Sequence, residues 1–305
     1  MKAEDIRKIS VVGFGTMGRQ ITQSFSQAGF DVFARDVNDG VLKAGLDTIR
    51  TGRFGLEKAV ERGKLTREAA DESLARIRVT TDLAEACRDA DFVVEAAVEN
   101  TDLKGRIFRE LDELCHEDVV LATNTSTLSI TEMGAMTKRP DKVIGMHFFN
   151  PAQVMRLVEV IRGLLTSDET LELTKALSAK MGKTPVVVRD SPGFATSRLG
   201  LALFQEASRV LEEGTASARD VDLAMRLGYG YPMGPFELVD IVGLDARLRN
   251  LEAMYRATGD PAWTPPLLLR QLVSTGYLGD PKVKAGSRGG YYEYFRLRRP
   301  AEEKQ

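Results

Sequence analysis

A histidine titrates near neutral pH, which makes it the natural base for taking a proton from an alcohol. The chain has two, His116 and His147. His147 ends an apolar run, Val143-Ile-Gly-Met, and is followed at Asn150-Pro151 by a turn signal. That pattern predicts the C-terminal end of a strand, where open α/β sheets gather their ligands. Glu159 lies inside a second apolar run, Leu157-Val-Glu-Val-Ile161. A carboxylate among such neighbours is half-buried and needs a partner. If the two strands are adjacent, Glu159 can accept from one imidazole nitrogen, fix the tautomer and leave the other nitrogen to a substrate. The plainer alternative is a core histidine and a surface glutamate on an edge strand. Cys115-His116 is too sparse for a metal site, and no metal is expected.

The elements that position such a pair begin at the N-terminus. Lys8-Ile-Ser-Val-Val12 is a β-branched run, followed at once by Gly13-Phe14-Gly15-Thr16-Met17-Gly18. An amphipathic helix to Ala28 and a second strand, Asp31 to Arg35, come next, ending at Asp36. Strand, Gly-x-Gly-x-x-Gly, helix, strand and acid is the order a dinucleotide-binding fold requires. Gly13 permits the tight turn, Gly15 lets backbone approach a pyrophosphate, and Gly18 lets helix and strand pack closely. Amide groups at the helix start face the phosphates. Asp36 would accept from the adenosine ribose hydroxyls and repel a 2′-phosphate, favouring NAD over NADP.

Residues 40–76 read as two helices joined by a basic turn, Glu61-Arg-Gly-Lys-Leu-Thr66. Either this is a solvated charged hairpin, or Lys58, Arg62 or Lys64 meets an anionic part of a large substrate. The sheet resumes with Ile77–Thr80, with a strand from Asp91 to Val98 that stops at Glu99, and with Val119–Thr123. A helix carrying Lys104 in its first turn lies between the last two. Glu99, Asn124, Ser126 and His147 therefore all fall just beyond strand ends, and side chains on that rim converge on one crevice.

Beyond Asp190-Ser-Pro-Gly193 the strand signal stops. Helices are expected from Phe194 to Glu213, Ser217 to Leu227, Pro235 to Ala257 and Pro265 to Ser274, with Gly and Pro at their ends. The expected architecture is α/β: a doubly wound, Rossmann-type sheet with an inserted helical pair over residues 1–189, then an all-α domain over 190–305. Wide apolar faces on the late helices (Leu199, Leu201, Leu203, Phe204; Leu238, Val239, Ile241, Val242) suggest burial against a second copy. The net charge of −2 gives no reason to expect nucleic acid. No apolar run approaches a membrane span, and the charged start is no signal peptide. Cys87 and Cys115 suit a reducing cytoplasm.

Taken together, these residues resemble the L-3-hydroxyacyl-CoA dehydrogenases, above all the bacterial 3-hydroxybutyryl-CoA group, over nearly the whole chain. The resemblance rests on Gly-x-Gly-x-Met-Gly, Glu95-Ala-Ala-Val-Glu99, Asn124-Thr-Ser126, His147-Phe-Phe-Asn-Pro151, Asp190-Ser-Pro-Gly-Phe194 and Tyr231-Pro-Met-Gly-Pro-Phe-Glu237. It implies a catalytic His147 paired with Glu159, and a Ser126 that hydrogen-bonds the reacting oxygen beside the nicotinamide. It implies NAD contacts from the glycine loop, Asp36, Glu99, Lys104, Asn124, Ser126 and, in a looser match, Lys284. An acyl-CoA substrate would meet Ser126, Asn150 and the basic turn with Lys58 and Arg62. A homodimer through the helical domain is also implied.

One position departs from the family. Many members carry asparagine in Pro-Gly-Phe-x-x-Asn-Arg, whereas this chain has Ser197 in Pro192-Gly-Phe-Ala-Thr-Ser-Arg198. A hydroxyl reaches less far than an amide. The resemblance implies reversible oxidation of a 3-hydroxyacyl-CoA to the 3-ketoacyl-CoA, with Ser126 and Ser197 orienting the oxygen. Two other readings stay open: a related dehydrogenase of a free hydroxy acid, as in the gulonate dehydrogenases, and a non-catalytic NAD-binding protein. The lysine-dependent 3-hydroxyisobutyrate and 6-phosphogluconate dehydrogenases share the glycine loop but not the His-Glu pair.

Overall fold

The computed structural model describes residues 2–300. The chain divides into two compact units, Met1–Ser191 and Pro192–Gln305.

The first unit is built on one sheet of eight strands in the order β3-β2-β1-β4-β5-β6-β7-β8. The strands are β1 (Lys8–Val12), β2 (Asp31–Arg35), β3 (Ile77–Thr80), β4 (Phe92–Glu95), β5 (Val120–Thr123), β6 (Val143–Phe148), β7 (Leu157–Arg162) and β8 (Thr184–Arg189). From β3 to β6 all neighbours are parallel; β7 then runs antiparallel to β6, and β8 lies parallel to β7. The parallel strands read as continuous apolar runs because helices cover the sheet. Ile9, Val11, Val94, Ile144 and Val160 are buried together with Phe25 and Phe148. The helices are α1 (Thr16–Gln27), α2 (Asp39–Thr51), α3 (Leu56–Glu61), α4 (Arg67–Ala75), α5 (Leu83–Cys87), α6 (Thr101–Leu114), α7 (Ile130–Ala135) and α8 (Asp168–Lys180). Strand order reverses direction between β1 and β4, the point at which open α/β sheets form a ligand crevice.

Two expectations change here. The insertion after β2 holds three helices rather than two. Gly52 is extended (φ −61°, ψ 171°), which ends α2, and a side chain there would come within 2.5 Å of the Thr48 carbonyl oxygen. Gly55 then starts α3, and the basic turn falls between α3 and α4. The strand expected to run to Val98 ends at Glu95, because the Glu95 carboxylate turns back to accept from Ala97 N at 2.6 Å.

The second unit is helical: α9 (Thr196–Glu212), α10 (Ala218–Tyr229), α11 (Pro235–Val242), α12 (Leu244–Thr258), α13 (Leu267–Ser274) and α14 (Tyr291–Phe295). The single helix expected from Pro235 to Ala257 is two. Gly243 adopts φ +108°, a value that L side chains rarely take, and the chain breaks there. The second helix runs past its expected stop and closes at Gly230 with φ +71°. α14 was not expected. Its aromatics Tyr291 and Tyr292 are buried with Leu201, Phe204, Phe236 and Leu251 in this unit's own core.

Two buried aspartates lock these helices end to end. Asp222 on α10 accepts from Phe236 N (2.9 Å), Glu237 N (2.8 Å) and the Tyr292 hydroxyl (2.7 Å). Asp240 on α11 does the same for α14, accepting from Tyr291 N (2.7 Å) and Tyr292 N (3.2 Å). Each carboxylate thus satisfies donors that a helix start leaves open. The Pro-Met-Gly-Pro-Phe-Glu motif is explained by this arrangement. A Cβ at Gly234 would overlap Asp222, and Glu237 returns to Gly234 N at 3.1 Å while pairing with Arg226.

Candidate active site

His147 and Glu159 face each other directly across the antiparallel β6–β7 pair. Directly opposed residues in such a pair point to the same side of the sheet. His147 Nδ1 lies 2.8 Å from Glu159 Oε2. A carboxylate can only accept, so Nδ1 donates and Nε2 is the basic nitrogen of the neutral ring. Glu159 is fully buried and His147 is 8% exposed, so the pair is shielded from water while the ring keeps an outlet. The glutamate is not on an edge, since β8 pairs along the far side of β7.

The glycine loop follows β1 at the switch point. Gly13 has φ +100°, and a Cβ there would stand 2.7 Å from the backbone of Ala96 and Ala97 on the neighbouring strand's exit. Gly18 packs directly on Gly13, while nothing lies within 4 Å of a Cβ at Gly15. Backbone at Gly15 is therefore open to an incoming group, and the α1 amides lie behind it. Asp36, at the end of β2, accepts from Phe14 N at 2.7 Å through Oδ2 and from Val37 N at 2.8 Å through Oδ1. It thereby shapes the loop. These features fit a dinucleotide held by Gly13 to Gly18 and Asp36.

At the ends of β4 and β5 lies a carboxylate that the sequence pattern hid. Glu95, fully buried, receives both contacts of the Lys104 ammonium at 2.8 Å and the Thr123 hydroxyl at 2.6 Å. Lys104, expected to contact the cofactor, is 1% exposed and is engaged by Glu95, with Glu99 at 3.5 Å. Glu99 organises the Asn124–Thr127 turn. Its Oε1 accepts from Thr125 Oγ1 (2.5 Å), Ser126 N (3.0 Å) and Thr127 N (3.2 Å), which fixes the backbone that presents the Ser126 hydroxyl. Asn124 Oδ1 accepts from Phe148 N at 2.9 Å, joining that turn to the residue after His147.

Asn150, expected to meet substrate, is held through Oδ1 by Gln20 Nε2 at 2.9 Å, and Gln20 Oε1 accepts from Ala152 N at 2.7 Å. Gln20 sits on the helix that starts at the glycine loop, so it connects that loop to the strand end carrying His147. Nothing in the sequence pattern marked it. Lys58 is ion-paired to Glu61 at 2.7 Å, and Arg62 is exposed at the end of α3.

In the helical unit, Ser197 lies in the first turn of α9. Lys284 is ion-paired to Asp245 within that unit. Cys87 and Cys115 are both free and buried. Among the described residues no group of His, Cys, Asp and Glu could hold a metal ion, and no helix is long and apolar enough to cross a membrane.

A nucleotide loop at a sheet's switch point, with an imidazole–carboxylate pair on the same rim, defines an NAD-dependent dehydrogenase. Comparison with known proteins narrows the class. Residues 8–191 match the NAD-binding domain of 3-hydroxyacyl-CoA dehydrogenase, and residues 193–292 match that family's C-terminal domain. The chain belongs to the 3-hydroxyacyl-CoA dehydrogenase family. It is 42% identical to a 3-hydroxybutyryl-CoA dehydrogenase of Clostridioides difficile, over 94% of this chain and 99% of that one. A 3-hydroxybutyryl-CoA dehydrogenase of Bradyrhizobium diazoefficiens is 38% identical over 95% of this chain and 96% of its own. The crystal structure of the (S)-3-hydroxybutyryl-CoA dehydrogenase PaaH1 from Ralstonia eutropha superposes with a TM-score of 0.87 at 41% identity, covering 93% of this chain and 99% of that one.

Proposed function

We propose that the protein interconverts (S)-3-hydroxyacyl-CoA and 3-ketoacyl-CoA with His147 as acid and base. The observation that carries this is the in-register His147–Glu159 pair, with its 2.8 Å hydrogen bond, at the rim that also holds the glycine loop. In the oxidative direction His147 Nε2 takes the proton of the 3-hydroxyl as the hydride leaves C3. NAD supplies the hydride acceptor. The buried Glu159 carboxylate holds the ring in one tautomer and stabilises the imidazolium that forms. Ser126, set by Glu99, orients the reacting oxygen. In reduction the same imidazolium returns its proton to the oxygen.

For the CoA moiety, Lys58 and Arg62 offer positive charge on the inserted helices. Cytoplasmic residence fits the two free thiols. A homodimer through the helical unit is supported by its exposed apolar side chains, among them Leu199 (71% exposed), Leu227 (83%) and Tyr229 (76%). Sedimentation should give twice the chain mass; monomer alone at micromolar concentration would refute the dimer.

The decisive assay follows NADH consumption with acetoacetyl-CoA, beside free acetoacetate and beside His147→Ala. Rapid turnover of the thioester, little of the free acid, and a loss on the order of a thousandfold in the variant are expected. Equal rates with ester and acid would instead identify a free-hydroxy-acid dehydrogenase. NADH binding without turnover of either would identify a non-catalytic protein.

A further inference from the structure

One chain of hydrogen bonds in the first unit has its direction fixed from end to end. Ala152 N can only donate, and its partner is Gln20 Oε1 at 2.7 Å. That contact settles which way the Gln20 amide faces, so its other end, Nε2, is the donor. Nε2 lies 2.9 Å from Asn150 Oδ1. The accepting end of the Asn150 amide is thereby engaged. The end left over is Nδ2, which carries two N–H donors and has no hydrogen-bond partner among the described residues. A backbone group thus dictates, through one glutamine, which end of an exposed asparagine is free.

The anchor of this chain is held from both sides. Lys183 Nζ, just before β8, donates to the carbonyl oxygens of Ala152 and Met155, while Gln20 takes the Ala152 N–H from α1. Gln20 is half-buried and stands two residues after Gly18, so its own backbone is set by the helix that opens at the glycine loop. An asparagine amide on its own offers either end, because its oxygen and nitrogen differ little in size but one accepts and the other donates. Gln20 removes that freedom. Asn150 comes three residues after His147, past the same strand end. Close to the reacting carbon of a 3-ketoacyl-CoA stands the thioester carbonyl, whose oxygen can only accept. A fixed N–H donor suits it, and an amide oxygen in the same place would repel it.

We propose that Gln20 is a positioning residue for the substrate: it holds the Asn150 amide with Nδ2 outward, so that a donor meets a carbonyl oxygen of the acyl-CoA. Gln20 touches no substrate itself and acts only through Asn150. Preorganised donors of this kind cost nothing to orient when the ligand arrives. The inference rests on the reading of the chain as a 3-hydroxyacyl-CoA dehydrogenase with Asn150 against its substrate.

The test is Gln20→Glu, which reverses the polarity and keeps the contacts. A carboxylate still accepts from Ala152 N, but it cannot donate, so Asn150 has to turn Nδ2 towards it and leave Oδ1 outward. With NADH and acetoacetyl-CoA, Gln20→Glu should raise KM about tenfold, the effect of one hydrogen bond, and change kcat by no more than about threefold. NADH affinity and the thermal midpoint should hold, because both hydrogen bonds of the side chain survive. Asn150→Ala should raise KM to a similar extent. Gln20→Glu added to Asn150→Ala should cost nothing further, since the first residue acts through the second. An unchanged KM in Gln20→Glu would overturn the proposal and leave the dehydrogenase reading intact. So would a lowered thermal midpoint with KM held, the mark of a purely structural glutamine. A rise in KM that is as large in the Asn150→Ala background would overturn it as well, because the new charge would then act on the substrate directly. Silence of the unaltered protein on acetoacetyl-CoA would overturn both readings.

Discussion

Both units bury carboxylates, and they put them to opposite uses. In the nucleotide unit the buried acids Glu95 and Glu159 stand on strands and face other side chains: the Lys104 ammonium and Thr123 hydroxyl for one, the His147 imidazole for the other. In the helical unit Asp222 and Asp240 stand on helices, and each takes two backbone N–H groups at the start of another helix, α11 for Asp222 and α14 for Asp240. The first arrangement aims charge at groups that can exchange protons or orient a reactant. The second turns charge into hydrogen-bonded joints between α10, α11 and α14. Burial pushes Asp222 and Asp240 up to about 6 against the pull of their hydrogen bonds, yet neither belongs to the proposed chemistry. A perturbed carboxylate marks a demanding environment, and only its partners tell whether the demand is chemical or architectural.

The sharpest way to break that contrast is Glu159→Gln. The amide keeps the shape of the pair but can present either end to Nδ1 and carries no charge for the imidazolium. A drop in kcat on the order of a thousandfold is expected, with the thermal midpoint nearly held. A protein that loses its fold while the folded fraction keeps its rate would place Glu159 with the architectural acids. Next comes Lys104→Met, which strands Glu95 as a buried charge. Destabilisation of about 3 kcal/mol is expected by chemical denaturation. Pairing it with Glu95→Gln should restore much of that loss, since removing both partners removes the uncompensated charge. If Lys104→Met instead leaves stability alone and only weakens NADH binding, the lysine is a cofactor contact first.

The helical unit's aspartates predict an opposite signature, in pH. Their folded-state pKa values lie above the ordinary 3.8, so between about pH 4 and pH 6 the folded state binds more protons than the unfolded one. Their contribution to stability is therefore fully present in acid and is lost as pH rises through about 6. The slope is on the order of 1.4 kcal/mol per pH unit for each carboxylate. Denaturation midpoints of this unit should fall over that window, and about half as steeply in Asp222→Asn, which leaves Asp240. A rise with pH would mean that the hydrogen bonds to Phe236 N, Glu237 N and Tyr292 outweigh burial.

The same contrast explains what could be read from the chain in advance. The glycine loop and His147 were legible because their local order carries the meaning: strand, glycines, helix; apolar run, histidine, turn. The in-register facing of Glu159 followed once the two apolar runs were taken as neighbours. Glu95 was hidden because it ends the same apolar run that makes β4, and nothing local distinguishes a buried acid with a lysine nine residues on from a strand terminus. Gln20 was hidden because its partners, Asn150 and Ala152, are distant in the chain. The break at Gly243 was missed because glycine alone does not state its φ, and the helix pattern continues on both sides. Long-range partners and backbone angles, rather than residue types, were the missing information.

The smallest effect expected is at the inserted helices, where charge is exposed rather than buried. Arg62 lies in water at the end of α3, and Lys58 already has Glu61 at 2.7 Å. On the proposed reading each would act on an anionic CoA through solvent, where a charge pair contributes little and salt screens it. Arg62→Ala should raise KM for acetoacetyl-CoA by only about threefold at low salt, with kcat unaltered and the difference gone at high salt. Lys58→Ala should do less, because removing it also removes the attraction that holds Glu61. A collapse of kcat in either variant would mean that the insertion sets the geometry of the reacting group. The division between buried charges that act on chemistry and exposed charges that only gather substrate would then fail within the nucleotide unit itself.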